Sequence, residues 1–377
     1  MVRKRTWMKV AIATAFICTI SVTVWNIHTA AHLKQTTLQL DLSDTPVLKR
    51  TNNTSLTLPN TRINVDPEAV NCSELLKKFQ ADEIEVAKKN PTQNFRRSFV
   101  TLAEGRDTDL KPFYIATHDK QIDKVRSSIM EYGYYYEHKL TKLIRGTYER
   151  FQREGKESIF LDVGANIGWF SLVAAAHGAT KIYSFEPNLQ NTIRFCESLT
   201  LNGWASGDLV TPIAKGVGRV EEKKTLYGSA GARNPGSFSF SESKSRTEVI
   251  GEMEITTLDA FAERHGWFES RTRIGVFKLD VEYFELEVME GAEKLLKSRI
   301  IEMITLELKP DHTKEAKFKI CKLLLDSGYE FWMHGAWPGP SIEVKTNYTD
   351  PSELVDDFQA GKFKVNVIFR LRDLRGR

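Results

Sequence analysis

Hydrophobic and polar positions follow three different patterns along the chain, and these patterns divide it into regions. Positions 10–31 contain no Asp, Glu, Lys or Arg, and 10–25 are apolar apart from Thr and Ser. Positions 32–70 are rich in Thr, Asn, Asp and Pro with little periodicity, which is typical of an exposed stem or linker. From position 158 onward, short apolar runs alternate with amphipathic stretches, which predicts a parallel sheet covered by helices.

The alternating region predicts an α/β domain over residues 151–377. Apolar runs predict strands, and apolar residues at helical spacing predict helices that end near Gly or Asn-Gly. The predicted strands cover 159–163, 181–185, 209–214, 274–280 and 301–308, with a closing antiparallel pair at 329–333 and 364–371. The predicted helices cover 169–177, 189–202, 284–297 and 315–327. Residues 228–247, rich in Gly and Ser, are predicted to form a mobile loop.

Residues 71–150, which precede this domain, mix helical patterns with a tyrosine-rich run at 132–136. We interpret them as a helical preface that covers the α/β domain.

The apolar segment 10–31 predicts a transmembrane anchor. A helix of about 20 apolar residues spans the hydrocarbon of a bilayer. The basic residues of the tail 1–9 favour a cytoplasmic location for that tail, so the rest of the chain would face the lumen of the Golgi or ER, as in a type II membrane protein. The alternative is a signal peptide cleaved after the small residues 29–31, which would give a secreted protein.

Charge excludes one class of partner. The formal net charge is +4, and Arg3, Lys4, Arg5 and Lys9 supply four positive charges within the tail. The remaining chain is therefore close to neutral and has no basic face of the kind that binds nucleic acid.

Sequons and cysteines add little to this picture. Four Asn-x-Ser/Thr sequons fit a secretory location and predict a glycoprotein; they begin at Asn52, Asn53, Asn71 and Asn347. The cysteines lack the spacing of a zinc site. Cys196 and Cys321 fall at apolar positions of predicted helices, so we expect buried free thiols there.

The turn after the first predicted strand has the features of a nucleotide site. It reads Asp162-Val-Gly164-Ala-Asn166-Ile-Gly168, and its glycines allow a ligand to approach the backbone. Glu186 ends the next strand, where an acid accepts hydrogen bonds from ribose hydroxyls. Asn166 replaces the central glycine that a dinucleotide needs for its pyrophosphate. S-adenosylmethionine (SAM) has no phosphate, so this turn suits it.

Several sequence blocks together resemble the FkbM-type methyltransferases. Their order and spacing match, and the resemblance covers about residues 155–370. It implies a Rossmann-like SAM-dependent O-methyltransferase with a mostly parallel seven-stranded sheet whose last strand is antiparallel. It also implies a hydroxyl-bearing acceptor, sugars included. The blocks are 160–172, 184–188, 257–259, 277–282 and 285–296, with similar ones at 304–307 and 326–329.

The resemblance assigns site residues position by position. Glu186 matches the acid that holds the ribose, and Asp280 and Glu282 match an acidic pair beside the transfer site. The residues that match the SAM loop are Asp162, Gly164, Asn166 and Gly168.

One departure from the family pattern follows this acidic pair. The family usually has Gly-Ala there, and this chain has Tyr283-Phe284. Two bulky aromatic residues at this place would narrow the pocket, reshape its wall, stack on a sugar ring or mark a chain that no longer catalyses.

Methyl transfer to a hydroxyl needs a general base within hydrogen-bond reach. Asp280 or Glu282 is the first candidate, and Lys278 shares a strand face with Asp280, where it either tunes that acid or forms a strand-end ion pair. His312 is a further candidate base. No metal site is predicted, because the helix acids Glu285, Glu287, Glu290 and Glu293 fit a solvated face.

Two other functions compete with a lumenal methyltransferase acting on a glycan hydroxyl. A metal-dependent glycosyltransferase would use Asp280-Val-Glu282 or Asp107-Thr-Asp109 as its metal-binding acidic pair, but it leaves the glycine-containing turn unexplained. A non-catalytic binding protein on the methyltransferase fold is the other alternative.

Overall fold

The computed structural model gives the part of the chain that follows the predicted linker. The described residues are 66, 68–89, 99–103, 110–118, 123–127, 136–228, 235–241, 246–335, 347–362 and 366–372. The predicted tail and anchor, and nearly all of the linker, lie outside these residues. Within them, no helix has both the length and the apolar character needed to cross a bilayer.

Strands and helices alternate through most of the described chain, after an initial helix and hairpin. The strands are β1 (Phe99–Ala103), β2 (Phe113–Thr117), β3 (Ile159–Val163), β4 (Lys181–Phe185), β5 (Val210–Ile213), β6 (Gly216–Val217), β7 (Glu222–Gly228), β8 (Glu248–Thr256), β9 (Ile274–Leu279), β10 (Ile301–Glu307), β11 (Tyr329–Gly335) and β12 (Asn366–Leu371). The helices are α1 (Cys72–Lys89), α2 (Lys124–Ser127), α3 (His138–Arg153), α4 (Trp169–Ala176), α5 (Leu189–Leu201), α6 (Leu258–Arg264), α7 (Glu285–Glu290), α8 (Glu293–Lys297), α9 (Lys314–Asp326) and α10 (Pro351–Gln359).

A seven-stranded sheet forms the centre of the domain, in the order β11-β12-β10-β9-β3-β4-β5. Strands β3, β4, β5, β9 and β10 pair in parallel, whereas β12 runs antiparallel to both β10 and β11. The inner strands are buried along nearly their whole length, because helices cover both faces. The predicted mostly parallel sheet with an antiparallel last strand is therefore confirmed.

Two hydrophobic cores flank this sheet. Because successive side chains of a strand point to opposite faces, Leu161 and Phe277 enter one core, and Phe160 and Val276 enter the other. Helices α6 to α10 pack in the first core, and α1, α3, α4, α5 and the β2 strand pack in the second.

Two predicted elements differ from the structure. The preface is not wholly helical, because β1 and β2 form an antiparallel hairpin whose second strand lies against α5. The predicted helix 284–297 is interrupted at Gly291, whose carbonyl accepts from the Asp259 backbone N–H. The Asp259 carboxylate in turn caps α8 by accepting from the N–H groups of Lys294 and Leu295.

The segment predicted as a mobile loop borders a three-stranded sheet in the order β6-β8-β7. A short 3₁₀ turn at Pro235–Ser237 is followed by a β-bridge between Ser239 and Tyr227. This extra sheet lies between β5 and α6 in the chain. Residues 229–234 and 242–245 lie outside the described residues.

The sequence predicts a free thiol at Cys196, and this is wrong. Cys196 forms a disulfide with Cys72. The bond joins α1 to α5 across 124 positions of sequence. Sequence periodicity places Cys196 correctly in the core, yet it carries no information on which helix packs against it. Cys321 is a buried free cysteine, as predicted.

Loss of this disulfide should destabilise the fold strongly. For a closed loop of this length, the chain-entropy treatment gives a loss of about 5 kcal/mol in the free energy of unfolding. Urea denaturation of the full chain with and without reductant measures it. The Cys72→Ala/Cys196→Ala double variant should match the reduced protein and not respond to reductant. An unchanged urea midpoint on reduction would contradict the prediction.

Candidate functional site

A pocket opens where the inner strands of the sheet end, beside the turn formed by residues 162–168, which we call the glycine loop. Gly164, Asn166 and Gly168 all have left-handed backbone conformations. A Cβ atom at Gly164 would lie 1.7 Å from the carbonyl oxygen of Asp280, so no other residue fits this close crossing of two chain segments. The loop thus lies directly against the end of β9.

Lys278 connects the glycine loop to the end of β9. Its Nζ donates to the carbonyl oxygen of Gly164 (2.7 Å) and lies 3.5 Å from Asp162 and 3.7 Å from Asp280. Burial opposes its charged form, but the neighbouring carboxylates raise the pKa of Lys278 above its ordinary value. Asp162 accepts from Ser171 with one oxygen, and its other oxygen faces the Lys278 ammonium. The loop therefore rests on a buried, charged support.

Glu186 crosses from the end of β4 to the glycine loop. One carboxylate oxygen accepts from the Asn166 backbone N–H (2.8 Å), and the other from Asn188 N–H (2.9 Å) and the Asn191 side-chain amide (3.3 Å). Burial raises the pKa of Glu186 to about 7. The carboxylate lines the pocket and retains lone pairs for a ligand hydroxyl.

The extra sheet supplies an apolar wall of the pocket that sequence reasoning missed. Val217, Leu226, Phe238 and Phe240 line it, with Lys215 at its edge. A flat heterocycle such as adenine fits this kind of surface. The alternation of Ser and Phe at 237–240 was the available signal, but the Gly/Ser-rich composition around it favoured a loop.

Three carboxylates meet where β9 and β10 end, and two of them, Asp280 and Glu282, line the pocket. Asp280, Glu282 and Glu307 each place an oxygen within 4.8 Å of the others, and we call them the carboxylate cluster. Lys309 pairs with Glu282 and with Glu307 (3.0 Å), and Arg246 lies 3.6 Å from Glu282. Burial and the Asp280 charge raise the pKa of Glu307 to about 8. This spacing also suits a hard cation, although Lys309 already supplies positive charge here.

Glu137 is a site residue that the sequence did not indicate. It precedes α3 in a left-handed conformation (φ 42°) and does not cap that helix. Instead its carboxylate accepts from the side chain of Asn366 (3.1 Å), which pairs with Glu307 in the sheet. Burial and the nearby Asp280 raise the pKa of Glu137 to about 7. Tyr136, the end of the tyrosine-rich run, lines the pocket beside it.

His312 connects Lys309 to the buried Glu285. Its Nδ1 accepts from the Lys309 backbone N–H (2.8 Å), and its Nε2 is 2.8 Å from Glu285. Glu285 is fully buried, so its assignment to a solvated helix face is wrong. Its second oxygen accepts from the N–H groups of Val281 and Tyr283, which fixes the loop at 281–284. With both ring nitrogens engaged, His312 is poorly placed to act as a base.

The two aromatic residues that depart from the family pattern pack around the pocket. Phe284 is buried and packs against Phe240, with ring centroids 5.5 Å apart. The Tyr283 ring lies beside two cations, with Arg246 at 4.6 Å and Lys309 at 4.9 Å from its centroid. Neither aromatic residue lines the pocket, so neither narrows it.

The structure thus brings most of the predicted site residues together. Asp162 and Gly168 support the glycine loop, and His312 lies beneath the loop at 281–284. The segment with Asp107 and Asp109 lies outside the described residues. The predicted residues that line the pocket are Gly164, Asn166, Glu186, Lys278, Asp280 and Glu282.

Comparison with solved structures gives distant likenesses. One is to methyltransferase FkbM from Methylobacillus flagellatus KT, with 14% identity, a TM-score of 0.34, and coverage of 56% of this chain and 43% of that one. Another is to a SAM-dependent methyltransferase from Agrobacterium tumefaciens, with 11% identity, a TM-score of 0.34, and coverage of 63% and 60%. The chain thus spans less than half the length of the first protein. No curated protein matches its sequence.

Comparison with protein families gives the assignment. The profile described as "Methyltransferase FkbM domain" matches residues 162–331, from the first residue of the glycine loop to β11. This range contains the glycine loop, Glu186, Lys278 and the carboxylate cluster. The region that contains the site therefore matches the methyltransferase FkbM domain, over residues 162–331 of the 377.

Proposed function

We propose that this protein is an O-methyltransferase of the secretory lumen that transfers a methyl group from SAM to a glycan hydroxyl. One observation carries the proposal. The glycine loop and two acids of the carboxylate cluster, Asp280 and Glu282, line the same pocket. Between them, Lys278 donates to the Gly164 carbonyl oxygen and lies 3.7 Å from Asp280. A ligand held on the loop is thereby next to groups that can accept a proton.

The donor half of the pocket fits SAM. We assign Glu186 to the ribose hydroxyls and the wall with Val217 and Phe240 to the adenine, because both line this pocket. The glycine loop has Asn166 where a dinucleotide-binding turn has its central glycine. When bound there, SAM supplies an electrophilic methyl group on a sulfonium. The chain's own part is to hold the acceptor in line with it and to exclude water.

Asp280 is the favoured general base. Its side chain is 29% exposed, against 19% for Glu282 and 21% for Glu307. Lys309 occupies the other two carboxylates, whereas Asp280 has only the longer contact to Lys278 among the described ion pairs. An acceptor hydroxyl that donates to Asp280 would lose its proton to that carboxylate oxygen as its own oxygen takes the methyl group and the carbon–sulfur bond of the donor breaks.

The charges of the acceptor half favour a neutral polyol. The four carboxylates of Glu137 and the carboxylate cluster face three cations, Lys278, Lys309 and Arg246. Lys278 also faces Asp162, and the raised pKa values of Glu137 and Glu307 keep part of these acids neutral near pH 7. An anionic acceptor would still meet the negative charge of the remaining carboxylates, whereas a neutral polyol would not. Adjacent carboxylates also accept hydrogen bonds from neighbouring hydroxyls, the pattern that a sugar offers.

The disulfide supports a lumenal location. Disulfides persist in oxidising compartments and are rare in the cytosol. The Cys72–Cys196 bond therefore fits the predicted type II anchor at 10–31 and the alternative of a secreted chain equally well.

Binding of S-adenosylhomocysteine should depend on Glu186 and on pH. Since the pKa of Glu186 is raised to about 7, the carboxylate is neutral below that pH and ionised above it. An ionised acceptor bonds ribose hydroxyls more strongly, so affinity should rise up to about tenfold from pH 6 to pH 8. Glu186→Gln should weaken binding about 10- to 100-fold at pH 8 and remove this dependence.

Calorimetry on the full chain in detergent micelles measures both effects. Glu252→Gln, an exposed carboxylate on β8, is the matched control and should bind as the wild type does. Wild-type affinity in Glu186→Gln would refute the assignment.

Methyl transfer should depend on Asp280 after the donor has bound. With methyl-tritiated SAM and a panel of neutral oligosaccharides, the wild type should form alkali-stable methyl ethers. Asp280→Asn should lower kcat about 10²- to 10⁴-fold, because the base is lost, with little change in S-adenosylhomocysteine affinity. Asp326→Asn, an exposed acid at the end of α9, is the control.

Other outcomes of this assay separate the alternatives. Donor binding without any transfer would favour a non-catalytic binding protein. Thermal stabilisation by UDP-sugars with Mn²⁺, and not by S-adenosylhomocysteine, would favour the glycosyltransferase.

A lumenal chain should carry an N-glycan on Asn347. Asn347 and Asn71 are both exposed, but the Asn71 side chain accepts from the Glu74 N–H at the start of α1 and precedes the disulfide-bonded Cys72. Treatment with peptide N-glycosidase should therefore lower the apparent mass of the wild type on a gel by one glycan more than it lowers that of Asn347→Gln. Asn71→Gln, the control, should migrate with the wild type. Equal shifts in wild type and Asn347→Gln would count against the lumenal location.

A further inference from the structure

The loop at 281–284 contains two consecutive residues in a left-handed backbone conformation. Glu282 has φ 55° and Tyr283 has φ 75°. Glycine adopts this conformation freely, but a bulky side chain does so only at a conformational cost. Such strain persists where the surroundings over-determine it, and it concentrates at functional sites.

Hydrogen bonds from both sides hold this loop in its left-handed conformation. Ser239 Oγ donates to the carbonyl oxygen of Glu282, and Ser241 Oγ to that of Tyr283 (3.2 Å). From the other side, the buried Glu285 accepts from the Tyr283 N–H (3.3 Å). These bonds are all made to the loop backbone, so they would hold a glycine at 283 equally well and do not explain the tyrosine side chain.

The Tyr283 side chain instead contacts charged groups at the carboxylate cluster. Its hydroxyl donates to Asp311 (2.7 Å), which fixes the ring. Arg246 and Lys309 lie 4.6 and 4.9 Å from the ring centroid, within the range of cation–π attraction. The same two cations pair with Glu282, and Lys309 also pairs with Glu307.

We propose that Tyr283 is a positioning residue of the acceptor site, whose ring holds Arg246 and Lys309 against Glu282 and Glu307. The strained backbone is the cost of placing a ring where glycine would fit the loop. The effect of Tyr283 on an acceptor rests on the proposed methyl transfer. The placement of Arg246 and Lys309 by its ring does not depend on any acceptor.

The electrostatic consequence follows from the groups around the cluster. Asp280 and Glu137 add negative charge beside Glu282 and Glu307, while Lys278 lies on the far side of Asp280. Asp311 and His312 lie on the side of the Tyr283 ring. If Arg246 and Lys309 moved into solvent, both glutamates would take up protons at higher pH. Protonated acids would accept fewer hydrogen bonds from a sugar.

Three substitutions in the full chain separate the ring from the backbone strain. Tyr283→Ala removes the ring but keeps a Cβ in the left-handed conformation, whereas Tyr283→Gly removes both ring and strain. Tyr283→Gly should therefore unfold about 2–4 °C above Tyr283→Ala. Tyr283→Phe keeps the ring and loses only the bond to Asp311.

Carbon-13 NMR of glutamate-labelled protein measures the pH titration of the Glu282 and Glu307 carboxyl groups without any acceptor. The resonances are assigned with Glu282→Gln and Glu307→Gln. Both carboxylates should titrate at higher pH in Tyr283→Gly and Tyr283→Ala, and near the wild-type position in Tyr283→Phe. Titration at the wild-type position in the two ring-less variants would overturn the proposal, as would equal unfolding temperatures for Gly and Ala.

Kinetics adds the catalytic readout. With the oligosaccharide accepted by the wild type, Tyr283→Gly should raise KM about tenfold and shift the acid limb of kcat/KM to higher pH, with unchanged S-adenosylhomocysteine affinity. Wild-type KM and pH profile in this variant would overturn the positioning role. A wild type that transfers no methyl group would refute the proposed function, and the titrations would then decide the structural part alone.

Discussion

The buried ammonium of Lys278 is the contact on which the rest of the site depends. It bonds the carbonyl oxygen of Gly164 and lies between the carboxylates of Asp162 and Asp280. A charge buried to this degree is stable only when paired, so replacement of Lys278 by a neutral residue would leave the buried Asp162 carboxylate without its countercharge. Through this ion pair, the end of β9 fixes the glycine loop, and the position of one half of the pocket determines that of the other.

The donor half could be predicted from sequence because it is local. Asp162, Gly164 and Glu186 occupy the ends of two neighbouring parallel strands, and such ends meet at one edge of the sheet. The mostly parallel seven-stranded sheet with its antiparallel last strand followed from the resemblance and is confirmed. The period of the apolar residues located the strands, and the position of Asp162, Gly164 and Glu186 at strand ends located these residues at one edge of the sheet.

The acceptor half could be predicted only at Lys278, Asp280 and Glu282, because its other residues come together through contacts distant in sequence. Glu137 meets Asn366 across 229 positions, and no local pattern indicates that pair. Glu285 illustrates a related error. Its place in a row of helix acids suggested solvent, but its contact with His312 buries it. The pairing of Cys72 with Cys196 was missed for the same reason, since a helical period gives the buried face and not the partner.

This division between local and distant contacts bears on how the two halves acquire specificity. The donor loop relies on backbone geometry, which tolerates few changes, as the close crossing of Gly164 and Asp280 requires. The acceptor half relies on side chains from separate elements, and only one of these, Asp280, lies next to that crossing. Glu137, Arg246, Glu307 and Lys309 can therefore change without disturbing the donor loop. The strained Tyr283 also lies in the acceptor half, so a change of its side chain would leave the donor loop in place.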